Sequence, residues 1–155
     1  MASAHAQFHH ILVPTDGSQP SINAGQFAVT WAAADKASIT FVYVVDNIVA
    51  RELAGVFRGT GTLQQEAAQA QQQLELSGQR YLDYLCRMAS EAGVTWECVM
   101  RHGVPYEEIA TLARERGVDL IVIGQVGSRG SQHIRIGSVA ERVIEGAPCA
   151  VLVVK

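Results

Sequence analysis

Five short strand-like segments, separated by longer amphipathic ones, constrain the fold of this chain more than any other feature of its sequence. Four are apolar almost throughout and one, Val94–Met100, alternates between apolar and polar residues. The other four are Ile11–Val13, Ser38–Val45, Asp119–Ile123 and Cys149–Val154. Buried strands that alternate with helices predict a parallel sheet with helices on both faces.

The segments between the strands predict four helices. Ser18 and Pro20 are typical of a helix start, and the first helix should run from about Gln19 to Asp35. The second should cover about Leu63–Ala92, with a solvated start over Gln64–Gln73 because that stretch is mostly Gln and Ala. The third has Glu107 and Glu108 in its first turn and ends at Gly117. Ser138–Glu145 should form the fourth, with Val139, Ala140, Val143 and Ile144 facing inward.

Right-handed crossovers leave few ways to assemble these elements. We expect a doubly wound α/β fold with a five-stranded parallel sheet in the order 3-2-1-4-5. Strands 1 and 4 would then flank the switch point, where ligands bind beyond the carboxyl ends of the strands. No internal repeat or linker is visible, so residues 8–155 should form a single domain behind a flexible N-terminus, residues 1–7.

Composition excludes several classes of protein. The chain has 155 residues, 48% hydrophobic and 17% charged, with a net charge of −3, which argues against disorder and against a nucleic-acid protein with a large basic patch. Its two lysines, Lys36 and Lys155, lie outside any Walker-type phosphate loop. There is no apolar run of membrane-spanning length and no signal-peptide pattern at Met1–Gln7, so we expect a cytoplasmic protein that does not contact membranes.

The cysteines Cys86, Cys98 and Cys149 are odd in number and far apart in sequence, and no CxxC motif occurs. We expect them to be reduced thiols in or near the core of an intracellular protein. The histidines show no spacing typical of a metal site, and no nucleophile elbow is present. These patterns predict no catalytic residue and no metal held by the protein alone.

The loops after strands 1 and 4 are chemically unusual, as the topology requires of a ligand site. The second loop carries glycines at 124, 127, 130 and 137 and ends at the start of a helix, whose N–H groups attract anions. Serines and the arginines Arg129 and Arg135 add donors and positive charge. The loop therefore suits a polyphosphate, although a plain surface loop with turn glycines has the same composition.

Asp16 ends the first strand beside that loop. Its carboxylate suits a ribose or a metal ion bound to phosphates, and equally suits an Asp-Gly turn that it stabilises itself. Asp46 follows the second strand, a position that resembles that of a ribose ligand in dinucleotide-binding proteins. The Rossmann fingerprint fails, however, because Gly59 and Gly61 lack its third glycine, so Asp46 is interpreted as a strand-end residue. His133 in the glycine loop is interpreted as an exposed loop residue.

Three segments, in this order, resemble the universal stress protein family. They are Ile-Leu-Val-Pro-Thr-Asp-Gly-Ser at 11–18, the motif G-x-x-G, nine residues and G-S at 124–138, and the closing Gly-Ser-Val-Ala-Glu-Arg-Val-Ile and Pro-Cys-Ala-Val-Leu-Val-Val segments. The glycine spacing is that of the ATP-binding branch, and the resemblance runs from about Phe8 to Lys155. It implies a doubly wound five-stranded fold, an ATP site that can include Mg²⁺, and a homodimer.

The resemblance also implies a role for particular residues. The adenosine end of the site would be lined by Pro14, Thr15 and Asp16, and the backbone of Val44 would meet the adenine. The phosphates would contact Gly124, Gly127, Ser128, Arg129, Gly137, Ser138 and Val139. Gln125 and Val126 depart from the family pattern, and Asp46–Thr62 has no counterpart that we can match.

The apolar last strand, Cys149–Val154, would be an exposed edge, and pairing with its copy in a second subunit would cover it. We therefore predict a dimeric, nucleotide-sensing stress-response protein with unidentified protein partners and at most slow ATP hydrolysis, because no catalytic base and no phosphate-clamping lysine is visible. Three alternatives stay open: an ATPase or nucleotidyl transferase, a scaffold without nucleotide, and a sensor of AMP or a cyclic adenine nucleotide.

Overall fold

Strands and helices alternate along the chain in a computed structural model, which describes residues 7–49, 62–127 and 136–155. The elements are β1 (His10–Pro14), α1 (Gln19–Asp35), β2 (Ser38–Asp46), α2 (Leu63–Glu91), β3 (Trp96–Gly103), α3 (Pro105–Arg116), β4 (Leu120–Gly124), α4 (Ser138–Gly146) and β5 (Ala150–Val154). Within the described ranges, no helix has both the length and the apolar character that a membrane span requires.

The sheet has the order β3-β2-β1-β4-β5 and all its strand pairs are parallel, which confirms the predicted fold class. Ile11 pairs with Ile39 of β2 on one side and with Leu120 of β4 on the other. The chain therefore winds outward in both directions from β1 and β4. The connections after β1 and β4 lead to helices on opposite faces of the sheet, which is the predicted switch point.

Each face of the sheet has its own hydrophobic core. On one face α1 and α2 bury Ala24, Ala28, Leu82 and Leu85 against residues such as Phe41. On the other face α3 and α4 cover the sheet with Ile109, Leu112, Ala140 and Val143. Because both faces are covered, the central strands are mostly apolar rather than alternating.

The ends of α1 follow from its sequence. Ser18 caps the helix by accepting a hydrogen bond from the Ser21 N–H, and Pro20 lies in the first turn, as predicted. Lys36 ends the helix in the left-handed region at φ 57°. A Thr62–Gln65 capping box starts α2.

Three expectations about local structure are wrong. The start of α2 is not wholly solvated, because Glu66 and Ala70 are buried there. Ile144 of α4 does not face inward: it is 46% exposed. β3 begins at Trp96 rather than Val94, because the chain turns through Gly93 at φ 69° and the Val94 N–H still bonds to the Ala89 carbonyl.

The cysteines also differ from expectation. Cys86 of α2 and Cys98 of β3 are paired as a disulfide, with Cα atoms 6.9 Å apart, although 12 residues separate them in sequence. The expectation of three separate reduced thiols is therefore wrong for this pair and holds for Cys149, which is free. Helix α2 packs over β3, and sequence spacing gave no sign that this contact brings the two residues together.

The two edge strands differ in chemistry. Ion pairs connect the β3 edge to α3, between Arg101 and Glu115 and between Glu97 and Arg116. The β5 edge is apolar from Ala150 to Val154 and is only partly buried. Charged side chains protect a strand edge from pairing, so β5 is the edge that is suited to pair with another strand.

Candidate functional site

A cavity of about 370 Å³ lies at the switch point, beyond the carboxyl ends of β1 and β4. Every described residue that sequence reasoning placed in the site lines it: Pro14, Thr15, Asp16, Val44, Gly124, Gly127, Gly137, Ser138 and Val139. The other two, Ser128 and Arg129, lie outside the described residues, as does His133. The fold thus brings residues from four separate segments of the chain to one place.

The β1–α1 loop is held in place by its own side chains. Thr15 is buried, and its hydroxyl lies 3.1 Å from the Ser21 hydroxyl. Asp16 Oδ1 accepts a hydrogen bond from the Ser18 N–H at 3.0 Å, which is the self-stabilised turn anticipated for this residue. Gly17 has φ 79°, and the Tyr81 ring of α2 fills the space that a Cβ atom would need. Both the positive φ and the contact with Tyr81 therefore require glycine at this position.

The second carboxylate oxygen of Asp16 points toward the loop after β4. A Cβ atom built on Gly127 would lie 2.6 Å from Asp16 Oδ2, closer than such atoms approach in proteins. The two loops that the topology singled out are therefore in direct contact. A glycine at 127 lets the carboxylate lie against the backbone, so both interpretations of Asp16, as a turn residue and as a site residue, are compatible with its position.

Gly124 serves helix packing. A Cβ atom there would lie 2.7 Å from the Pro20 carbonyl carbon and 2.8 Å from the Ser21 nitrogen. The first turn of α1 therefore rests directly on the end of β4. The resemblance implies close approach of this glycine to phosphate; Gly124 lines the cavity, and its contact with α1 is a second requirement for glycine here.

The start of α4 faces the cavity. The Gly137 N–H donates to the Gln125 carbonyl at 2.7 Å, which fixes the helix start against the beginning of the glycine loop. Gly137 is the N-cap residue and, in the described part of the chain, no side chain caps the helix. The first N–H groups of α4 are thus suited to bind an anion, with the helix dipole favouring negative charge.

The opposite wall of the cavity is apolar, and most of it was missed by sequence reasoning. Val44 was expected there, but Leu74 of α2 and Pro105 and Ile109 of α3 were not. Asp46 also lines the cavity, while its Oδ1 accepts a hydrogen bond from the Ile48 N–H at 2.8 Å. Only the order of the strands could have pointed to these residues, because α2 and α3 flank β2 in space.

A hydrogen-bonded pair, Glu75 and His102, lies close to this wall. His102, near the end of β3, places Nε2 at 2.8 Å from Glu75 Oε1, and the Gln71 amide donates to the same carboxylate. These two hydrogen bonds, that of His102 first, lower the pKa of Glu75 from its ordinary value of 4.5. The pair links α2 to β3 at the residue that follows Leu74.

Fold and site together define a doubly wound α/β protein with an anion-suited pocket at its switch point. Residues 7–155 match the model of the universal stress protein family, and the chain belongs to that family. A universal stress protein of Methanocaldococcus jannaschii is 39% identical over 148 residues, which cover 96% of this chain and 82% of the relative.

Solved structures agree with this assignment. The universal stress protein UspA of Lactobacillus plantarum has the same fold, with a TM-score of 0.83, 24% identity and coverage of 97% of this chain and 100% of that one. A universal stress protein solved in complex with cAMP is similar with a TM-score of 0.67 and 26% identity, covering 97% of this chain and 99% of that one.

Proposed function

We propose that this protein is an ATP-binding universal stress protein, a single-domain nucleotide sensor that acts as a homodimer in the cytoplasm and hydrolyses ATP slowly at most. The observation that carries the proposal is the arrangement of three backbone segments around one cavity: the β1–α1 turn with Asp16, the glycine loop at Gly124–Gly127, and the uncapped start of α4. Each segment supplies a different part of a nucleotide site.

Different walls of the cavity suit different parts of the ligand. Val44, Leu74 and Ile109 offer apolar surface for a flat base, and polar groups next to a mostly apolar wall are typical of small-molecule sites. Asp16 also lines the cavity, and its carboxylate would face the ribose and the phosphate-bound metal ion. The N–H groups of Ser138 and Val139 would bind phosphate oxygens next to Gly137, whose own N–H is donated to the Gln125 carbonyl.

Magnesium fits this arrangement as a companion of the phosphates. Mg²⁺ is commonly held by one or two carboxylates together with substrate phosphate oxygens. Asp16 and Asp46 are carboxylates on the described lining of the cavity. We assign the metal-facing role to Asp16, because it lies against the glycine loop; a bound Mg²⁺ would offset the charge of the phosphates there.

The proposal is tested by measuring nucleotide content and affinity together. Mass spectrometry of small molecules released from the purified chain should detect an adenine nucleotide at close to one per chain, and calorimetric titration of emptied protein should give ATP binding. Absence of nucleotide together with absence of binding would contradict the proposal.

Gly137→Val is the matching site variant. A Cβ atom on Gly137 would lie 3.2 Å from Val126 Cα and 3.4 Å from the Gly127 nitrogen, so the branched side chain should push α4 away from the glycine loop. We expect ATP affinity to fall at least tenfold, equivalent to about 1.4 kcal/mol. Gly146→Val is the control, since a Cβ atom on Gly146 has no neighbour within 4 Å. Equal affinities in the two variants would contradict the phosphate assignment.

Cyclic AMP is a second candidate ligand, favoured by the related structure that was solved in complex with it. Competition titrations with ATP, AMP and cyclic AMP on the same sample would rank the three. Single-turnover incubation with ATP separates a sensor from an enzyme: cleavage that Asp16→Ala abolishes while binding persists would favour the ATPase or nucleotidyl transferase alternative.

A further inference from the structure

Cys86 and Cys98 lie on the far side of the molecule from Cys149, and nucleotide binding gives them no role. Cys86 is on the buried face of α2, with 6% of its surface exposed, among Leu82, Leu85 and Ala89. Cys98 is half-buried on β3, which is an edge strand of the sheet. Cys98 Sγ lies 3.8 Å from the carbonyl oxygen of Leu82, one helical turn before Cys86.

This placement makes one thiol accessible and the other protected. Cys98 is half-buried whereas Cys86 is 6% exposed, so a small oxidant would reach Cys98 first. Cys86 lies beneath it, within the core. An accessible thiol next to a second thiol is the usual arrangement of a redox-sensing cysteine and its resolving partner.

We propose that Cys86 and Cys98 form a reversible redox site, oxidised to a disulfide by hydroperoxides and reopened by thiol reductants. The Cys98 thiolate attacks the peroxide, forming a sulfenic acid and releasing hydroxide or an alkoxide. The Cys86 thiol then attacks the Cys98 sulfur, forming the disulfide and releasing water. Overall, two thiols and one hydroperoxide give one disulfide, one alcohol or water molecule, and one water molecule. Two equivalents of an external thiol reverse the change.

The fold does not depend on the disulfide, which is why it can be reversible. Helix α2 is already attached to the sheet by buried side chains, among them Leu82 and Leu85, both at most 2% exposed. The bond closes a short loop of chain, from the end of α2 through the turn to β3. Oxidation therefore adds a covalent tie between two elements that already pack together, and reduction removes it without exposing the core.

Tryptic peptides make the test direct, because the three cysteines fall in different peptides. Cleavage after arginine places Cys86 in residues 81–87, Cys98 in 88–101 and Cys149 in 143–155. The reduced full-length protein is treated with hydrogen peroxide, alkylated and digested without reductant. We expect peptide 81–87 to be joined to 88–101, free thiols to fall from three per chain to one, and dithiothreitol to restore all three.

Cys149 serves as the internal control. Burial raises the pKa of its thiol, and the nearby Asp119 carboxylate raises it further, so little thiolate is present for reaction. It should be the thiol that remains. Three unreacted thiols after peroxide treatment, or a crosslink that includes peptide 143–155, would overturn the proposal.

Two single variants distinguish the roles of the pair. In Cys86→Ser the Cys98 sulfenic acid has no resolving partner, so a dimedone probe should label peptide 88–101; in Cys98→Ser no peptide should be labelled. Labelling of peptide 81–87 in Cys98→Ser would refute the assigned order of attack.

Oxidised wild-type protein should melt about 5 °C above reduced protein, and this shift should vanish in both variants. An unchanged Tm in oxidised, crosslinked wild type would show that the bond does not tie α2 to the sheet.

Discussion

Replacing Gly124 by alanine should destabilise the protein through helix packing alone. The added methyl group would lie 2.7 Å and 2.8 Å from two backbone atoms of Pro20 and Ser21, and 3.0 Å from Pro20 Cβ. Ordinary contacts between such atoms are about 3.5–4.0 Å. The first turn of α1 must therefore move away from β4 by several tenths of an ångström, since backbone atoms cannot rotate aside as a side chain can.

Forced expansion of a packed interior costs about 1–3 kcal/mol. For a chain of this length each kcal/mol corresponds to about 2–4 °C in Tm, so Gly124→Ala should lower Tm by about 3–10 °C. Thermal unfolding followed by circular dichroism, without nucleotide, measures the change. Movement of α1 also displaces Ser18 and the Asp16 turn that bonds to it, so ATP affinity should fall as well.

Gly146→Ala is the matched control for this prediction. It makes the same chemical change at the end of α4, where no atom lies within 4 Å of the new Cβ. Both variants lose the same backbone freedom in the unfolded chain, which by itself stabilises by about 0.4–1 kcal/mol. A Tm for Gly124→Ala equal to that of Gly146→Ala would refute the packing argument.

Two further predictions concern the dimer and the Glu75–His102 pair. Leu152 is the middle residue of β5, and a two-fold antiparallel contact centred on this strand would bring the two copies of Leu152 together. Leu152→Lys should then convert a dimer into a chain of 16.7 kDa by light scattering, and an unchanged dimer mass would reject this interface. Because the folded pKa of Glu75 is lowered, the carboxylate stabilises the fold above pH 4.5, and this contribution is lost as pH falls through the folded value. The free energy of unfolding of wild type should exceed that of Glu75→Gln by no more than about 0.5 kcal/mol at pH 6, since the pair is largely exposed, and the difference should shrink as pH falls below 4.5. A difference that grows on acidification would contradict the assignment.

Much of the fold could be predicted because its signals are local. The strand sequences, the Ser18 cap and the Lys36 region at the end of α1 depend on neighbouring residues, and the parallel order follows from crossover geometry. The loops at the switch point could be predicted from the strand order, because this order places Asp16 near Gly127. The direct contact between the Asp16 carboxylate oxygen and Gly127 could not be predicted from the strand order.

What sequence could not provide depends on contacts between distant segments. Leu74 and Ile109 reach the cavity from helices on opposite faces of the sheet, and no pattern within either helix distinguishes them from other core residues. The pairing of Cys86 with Cys98 depends on how α2 crosses β3. The packing role of Gly124 was missed for a related reason: a glycine in a phosphate-loop pattern and a glycine under a helix look alike in a sequence.

The two edges of the sheet differ in whether they can add a strand from another chain. The β3 edge carries charged residues that are already engaged with α3, so it offers little to an incoming strand, whereas the β5 edge is apolar. A chain with two open edges can polymerise by continued strand addition. A chain with one open edge can add a single neighbour, which uses the same edge and leaves none for a third. The ion pairs on β3 would in this way set an upper limit of two on assembly through the sheet, although they lie at the opposite end from the contact they limit.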